Sequence, residues 1–408
     1  MPTHTSPRRV LAAAASVVLG TGLLLGFGPA TASAESTSDD LADAVRATML
    51  EQRGDTAREQ FSTRSLAEPL VEPITTEDDA WAFGTTTIPA PSTAHAAPET
   101  ALFVAEHGPQ GWRVELDGTD GFVDLADAAP DDVVSDEEKE LFAKNHEAAQ
   151  DAPLADTGLG LPWQEGVAWW MGGGPHGNSG SSRPYSSIDF NGGNGQVLSA
   201  GPGRVYKSCV RGGSALVKVM HENGYSTTYY HMRRLTNLSN GSPVQTGTYL
   251  GLIGNELPCG GSSSGAHVHL SLLRGDSHIS VDNMTIGGWT FHTVSRPYQG
   301  YATRGNVRVD RGERLTNYGG SDNSLPTGTV DSGEYSRVNL RTGPGLDHDI
   351  VDTVADGALV RIECTARGGD VDGVWGTTDL WNRLDTGNWI SDGFVYTGTN
   401  DPVAPACD

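Results

Sequence analysis

The run Gly265-Ala266-His267-Val268-His269-Leu270-Ser271-Leu272-Leu273 sets two histidines one residue apart at the start of an apolar segment. An apolar run of this length, entered from a Gly-Ser-rich loop, reads as a β-strand. Side chains on a strand alternate between its faces, so His267 and His269 point the same way. Two imidazoles aimed into one space suit zinc, a borderline-soft ion for which neutral imidazole is a preferred ligand. Further strand-like runs surround this one: Gln196 to Ala200, Ala215 to Met220 and Tyr225 to Tyr230. Asn223-Gly224 is expected to join the last two in a type I′ hairpin, whose positive φ angles those residues tolerate. The 53 glycines and the 19% of charged residues also favour a turn-rich, mainly β fold.

Three more polar landmarks precede the pair. His176 lies in the flexible Gly173-Gly174-Pro175-His176-Gly177, Asp189 stands between Ile188 and Phe190, and His231 follows the strand-like Tyr229-Tyr230. A carboxylate flanked by large apolar residues is costly to bury unless it is paired or metal-bound. Taken singly, these remain open as a loop histidine, a turn or cap aspartate and a half-buried core histidine.

Together, GPHG at 174–177, SSIDF at 186–190, HENGYSTTYYHM at 221–232 and GAHVHL at 265–270 form an ordered set. From about Trp163 to Tyr301 the chain resembles the lysostaphin and β-lytic class of secreted zinc endopeptidases, which cleave bacterial cell-wall peptides. The wide interval between His176 and Asp189 is similar to the β-lytic branch. The resemblance implies an antiparallel β-sheet peptidase domain with an open groove. It implies one zinc ion held by His176, Asp189 and His269, with His231 and His267 as catalytic histidines and Tyr298 as a further oxyanion donor. Three protein ligands leave a fourth position for water, the pattern of a catalytic zinc. The chain has no H-E-x-x-H, because His146-Glu147 and His221-Glu222 both lack the second histidine. Proton transfer therefore falls to His231 and His267, with His267 expected as general base and His231 as stabiliser of the tetrahedral intermediate, the exchanged assignment staying open. His221, His278 and His292 are read as structural.

The flanking sequence divides the rest. Residues 1–34 read as a secretory signal peptide: Arg8-Arg9, an apolar stretch, then Ala32-Ser33-Ala34 as the cleavage pattern. The paired arginines leave the Sec and twin-Arg routes both open. Residues 35–156 hold 28 acidic against 7 basic side chains, a net of −21 out of −24 for the whole chain. A helix over Asp39 to Phe61 with Leu41, Val45 and Leu50 inward, three short strands and a helix from Asp136 to about Ala149 make this block α+β. It reads as an accessory domain of the mature protein or an acidic propeptide, and the propeptide, removed near Asp156-Thr157, is the expectation. Its His95, His107, His146 and carboxylates are candidate occupants of the open zinc position.

Residues 157–310 are then the peptidase domain, and 311–329 a Gly/Ser/Asn linker. Residues 330–408, with Trp375, Trp381 and Trp389, resemble the bacterial SH3-like wall-targeting domain, a small β-barrel. Export predicts disulfides, and sequence clustering favours Cys209–Cys259 and Cys364–Cys407.

Acidity excludes nucleic acid as a partner. No other apolar stretch is long enough to span a bilayer, so the mature protein is expected to be extracellular, monomeric and membrane-free. Peptidoglycan is expected as both substrate and anchor. Two alternatives stand beside the endopeptidase: another zinc wall hydrolase, a D-alanyl carboxypeptidase or amidase, and an inactive wall-binding protein.

Overall fold

The computed structural model describes residues 32–77, 79–92, 96–153, 155–320 and 325–407. It is mainly β, with antiparallel sheets. The signal-peptide reading falls almost wholly outside these residues, and His95 is outside them too. Among the described residues no helix is long and apolar enough to cross a membrane.

Helix α1 (Ala32–Phe61) lies on a four-stranded sheet of β1 (Leu70–Glu77), β2 (Trp81–Ile88), β3 (Glu99–Gly108) and β4 (Gly111–Leu116). Its buried stripe is Leu41, Val45 and Met49, spaced four apart, whereas Leu50 is only partly buried. Residues four apart share one face of a helix, so Met49 displaces the expected Leu50. Helices α2 (Asp120–Ala128) and α3 (Asp136–Gln150) follow. Thr119 caps α2 by accepting from Phe122 N–H, and Ser135 with Glu138 forms a capping box on α3. Strand β1 and helix α2 were not expected from periodicity. β1 carries Pro73 and a bulge, and α2 has only nine residues.

The central sheet is built from β5 (Ala168–His176), β6 (Ser187–Asn191), β8 (Gly203–Arg211), β9 (Ser214–Met220), β10 (Tyr225–Tyr230), β11 (Ser242–Val244) and β13 (Val268–Arg274). Between them in sequence, β7 (Gln196–Leu198) and β12 (Tyr249–Leu252) pair apart. The spatial order is β11-β8-β9-β10-β13-β6-β5, closed at the far edge by the strand Arg314–Thr316. That last strand shortens the linker expected over 311–329. Leu315 is fully buried, and the Asn317 side chain donates to the carbonyls of Leu161 and Trp163. The β9–β10 connection also differs from expectation. His221 N–H donates to Tyr225 O, closing a three-residue loop in which Gly224, and not Asn223, has positive φ.

Alternation along β6, β9 and β13 gives this sheet two distinct faces. One carries Ile188, Phe190, Val217, Val219, Val268, Leu270 and Leu272 into the domain's own core. The opposite face carries Asp189, Lys218, Met220, His269 and Ser271, and the N-terminal unit docks there. Tyr206 and Met220 join Phe83, Phe122 and Phe142 in one apolar cluster. Asn145 of α3 donates to the carbonyls of His221 and Tyr225, Lys218 pairs with buried Asp117, and Arg53 pairs with Asp276. Both expected disulfides, Cys209–Cys259 and Cys364–Cys407, are formed.

Glu99 is buried in this interface among Gln60, Arg53, Lys218, Asp117 and His278, and burial pushes its carboxyl up from 4.5 to about 7. A raised carboxyl favours the docked state below its ordinary pKa, and that advantage fades as pH rises through the folded value. The melting temperature of the full chain minus that of Glu99→Gln should therefore fall between about pH 4.5 and 7, corresponding to roughly 3 kcal/mol. Parallel curves for the two proteins across that window would contradict this.

The junction after α3 is tied to the central domain. Thr285 N–H donates to Ala155 O, Thr157 N–H donates to Thr285 O, and Thr157 is fully buried. The Asp156–Thr157 bond, expected as a processing point, thus lies within packed structure, while Asp151, Ala152 and Pro153 are exposed.

The C-terminal strands form a separate antiparallel sheet running from Ile350–Ala355 through Arg337–Arg341, Trp389–Ser391, Gly376–Leu384, Leu359–Gly373 and Thr327–Val330 to Val395–Tyr396. This arrangement is consistent with a half-barrel. Trp381 and Trp389 are buried in it, while Trp375 is exposed and packs on Tyr396.

Candidate active site

Sheet register assembles the candidate residues. On β13, His269 sits opposite Asp189 of β6 on one side and Tyr230 of β10 on the other. That second pairing brings His231, at the end of β10, beside the same point. On β5, Gly173 faces Asp189 and His176 faces Ser187, so the strand carries one extra residue between these pairs. Such a bulge re-aims the side chains that follow it, and here it turns His176 toward Asp189. His267 is held just before β13 by mutual hydrogen bonding with Gly254.

Three atoms converge. Asp189 Oδ1 lies 3.1 Å from His269 Nδ1 and 3.4 Å from His176 Nε2, and the two histidine nitrogens are 3.3 Å apart. A tetrahedral zinc with bonds of about 2.0–2.1 Å has ligand–ligand edges of about 3.3 Å, so nitrogen, oxygen and nitrogen at these separations fit that ion. Among the described residues this is the His/Asp group spaced to hold a metal. Burial opposes charge on Asp189, but His176, then His267 and His269, hold its carboxyl well below the usual range. The donor set is therefore anionic and compact.

Backbone carbonyls fix the ring tautomers. His176 Nδ1 lies 2.8 Å from Gly174 O, His231 Nδ1 3.1 Å from Glu256 O, and His267 Nδ1 2.7 Å from Gly265 O. A carbonyl only accepts, so each Nδ1 carries the proton and each Nε2 keeps its lone pair. His269 is the reverse. Its Nδ1 faces the cluster, and its buried Nε2 has no hydrogen-bond partner among the described residues. His267 Nε2 is 3.4 Å from Asp189 Oδ1, and the His231 ring is 4.8 Å from that of His267. Burial, then His267 and His269, push His231 down to about 3, so its ring is neutral near pH 7.

Tyr298 stacks on the His176 ring at 4.0 Å, and its backbone brackets Pro175 and Gly174. Burial, then Asp189, raise its phenol, which stays protonated and able to donate. His231 and Tyr298 both have φ of 65°, a costly conformation outside glycine that is found where surrounding structure holds a residue in a special orientation.

Asp189, His231, His267, His269 and Tyr298 line a cavity of about 500 Å³ together with Gly172, Gly173, Asn178, Asn191, Arg311 and the loop Ser262–Ala266, while His176 is wholly buried. Asn178, Asn191 and Arg311 were not singled out from the sequence, where nothing but proximity to the motifs marks them. His221, His278 and His292 lie outside the cluster. His221 bonds Pro202 O and Thr227, while His292 bonds Thr303 and stacks on Tyr301. Of the proposed occupants of the open position, His107 packs on Trp112 and His146 bonds Asp120, both away from the cavity.

Gly173 leaves no room for a side chain beside the candidate ligand Asp189. A Cβ there would come 2.5 Å from Asp189 Oδ2 and 3.0 Å from the Tyr298 ring. Gly173→Ala should therefore displace the carboxylate and lower zinc content and activity together, by about tenfold or more, as loss of metal support does elsewhere. Full zinc content by metal analysis would contradict it.

An antiparallel sheet bearing two histidines and an aspartate at metal-ligand spacing, open to a groove with two more histidines, has the site of a metallopeptidase. Residues 183–281 match peptidase family M23. Over 151 residues the chain is 34% identical to the protease LasA of Pseudomonas aeruginosa, covering 34% of each protein. Over 157 residues it is 29% identical to the beta-lytic metalloendopeptidase of Lysobacter enzymogenes, covering 36% of this chain and 85% of that one. The solved M23 metalloprotease pseudoalterin is 35% identical, covering 39% of this chain and 97% of its own, with a TM-score of 0.35. The chain spans about a third of the length of LasA. Residues 183–281 form a peptidase family M23 domain.

Proposed function

We propose that this protein is a secreted zinc endopeptidase that hydrolyses peptide bonds in bacterial peptidoglycan, in cross-bridges or stem peptides. The observation that carries this reading is the convergence of His176 Nε2, Asp189 Oδ1 and His269 Nδ1 at tetrahedral spacing beside two further imidazoles. His176, Asp189 and His269 would hold the metal. Bound zinc supplies a Lewis acid and lowers the pKa of a coordinated water to about 7.

The chain's own groups supply the rest. His267 accepts a proton at Nε2 and returns it to the leaving amine. His231, held by Glu256 O, lies beside His267 and orients the developing tetrahedral centre, and the Tyr298 hydroxyl donates to its oxygen.

The N-terminal unit acts as a propeptide, since it docks on the sheet face that bears the site. Exposure at Asp151–Pro153 favours a cut there, upstream of Asp156. Residues 330–408 serve as an SH3-like wall-binding domain, supported by the half-barrel sheet and the exposed Tyr335, Trp375 and Tyr396. The two disulfides support an extracellular destination.

The test is digestion of purified peptidoglycan by the processed protein, with labelling of new amino termini and mass analysis of the fragments. Internal cleavage of cross-bridge or stem peptides is expected. Loss of terminal D-alanine alone would indicate a carboxypeptidase, and peptide-free glycan strands an amidase. No new termini at all would leave a wall-binding protein.

A further inference from the structure

The N-terminal unit touches the groove with backbone, and the groups it engages are specific. Ala97 N–H donates to Asn178 O at 3.0 Å. On the other wall, Ala90 N–H donates to Cys259 O and Gly261 N–H donates to Ala90 O, each at 3.0 Å, giving a bridge between Ala90 and Gly260. Ala96 and Ala97 line the same cavity as Asp189, His231, His267 and His269, and both are almost wholly buried. Gly260 and Gly261 have φ of 85° and 87°, and a Cβ on either would overlap the carbonyl of Ala90 or Ala96. The wall is thus shaped for a second main chain to approach closely. Gln60 Oε1 accepts from Asn178 Nδ2 at 3.2 Å, and the Asn178 carboxamide oxygen accepts from Ser271, so Asn178 is held in register with the ligand-bearing strand.

We propose that the groove grips its substrate as an extended backbone, through the Asn178 carbonyl on one wall and the Cys259 carbonyl and Gly261 N–H on the other. The N-terminal unit occupies those same groups with Ala97 and Ala90. When it leaves, one donor and two acceptors lose their partners beside the catalytic histidines. A peptide laid between the walls satisfies all three by strand addition, a mode in which main-chain hydrogen bonds supply affinity. Latency then arises from competition for substrate-binding backbone, with no ligand from the N-terminal unit on the metal required. This rests on the endopeptidase reading above.

Two variants test it, each read with zinc content. In the full-length chain, Ala97→Leu puts a larger side chain into a closed slot and should raise hydrolysis of a defined wall peptide about tenfold or more over the unaltered full-length chain. In the processed protein, Gly261→Ala should raise KM about tenfold and leave kcat within about twofold, since only backbone binding is disturbed. Zinc content should stay unchanged in both. An A97L chain as latent as its parent, or a Gly261→Ala enzyme with unchanged KM, overturns the proposal. So does a full-length chain already as active as the processed one. If strain at residue 261 unfolds the loop, A97L decides alone. Failure of the endopeptidase reading looks different, because the unaltered processed protein would then cut no wall peptide.

Discussion

Replacing His269 by alanine is expected to empty the metal position and to reduce peptide-bond hydrolysis by more than about a thousandfold, the scale on which a central electrostatic element contributes. His269 sits on the central strand between β10 and β6, and its Nδ1 forms two of the three edges of the ligand triangle. Without it, one histidine and one carboxylate remain, too few for a stable zinc site of the usual kind. The side chain is small next to the apolar core and lies on the opposite sheet face, so folding should survive. Metal analysis of the purified variant should give far less than one zinc per chain, with a melting transition still present. Retention of stoichiometric zinc would show that His269 is not a ligand.

The second large effect separates its neighbour from it. His267→Ala should keep zinc and lose about 10²- to 10⁴-fold in kcat, the range over which a positioned acid–base group contributes. His267 is two residues away on the same face, yet its Nδ1 is anchored to Gly265 O, and it approaches Asp189 only at 3.4 Å. His231→Ala should behave likewise, since its Nδ1 is anchored to Glu256 O and its ring lies 6.1 Å from that of His269. KM should change little in either variant, because neither ring is placed to bind the remote parts of a substrate. Loss of zinc in His267→Ala would merge the two roles and contradict this division.

Much of this site could be read from side-chain types in order along the chain. The strand period puts His267 and His269 on one face, and Asp189 between Ile188 and Phe190 needs a partner that the opposite strand supplies. What escaped is carried by backbone. The Gly174, Glu256 and Gly265 carbonyls that fix the ring tautomers have no residue signature, and the need for glycine at 173 appears only when β5 lies beside Asp189. The Asn-Gly pair pointed to the right hairpin with the wrong turn, because register and not dipeptide preference sets loop length. Arg314–Thr316 looked like linker because three residues carry too little pattern to reveal a strand. The docking of the N-terminal unit on the site face was likewise hidden, since its contacts join Gln60 to Asn178 and Asp117 to Lys218 across long sequence separations.

The most direct test of the central claim is metal dependence of the processed protein on a defined wall peptide. Treatment with a chelator should abolish cleavage, and one equivalent of zinc per chain should restore it, with restoration lost in His176→Ala, Asp189→Ala and His269→Ala. Cleavage that persists at full rate in metal-free protein would contradict the account.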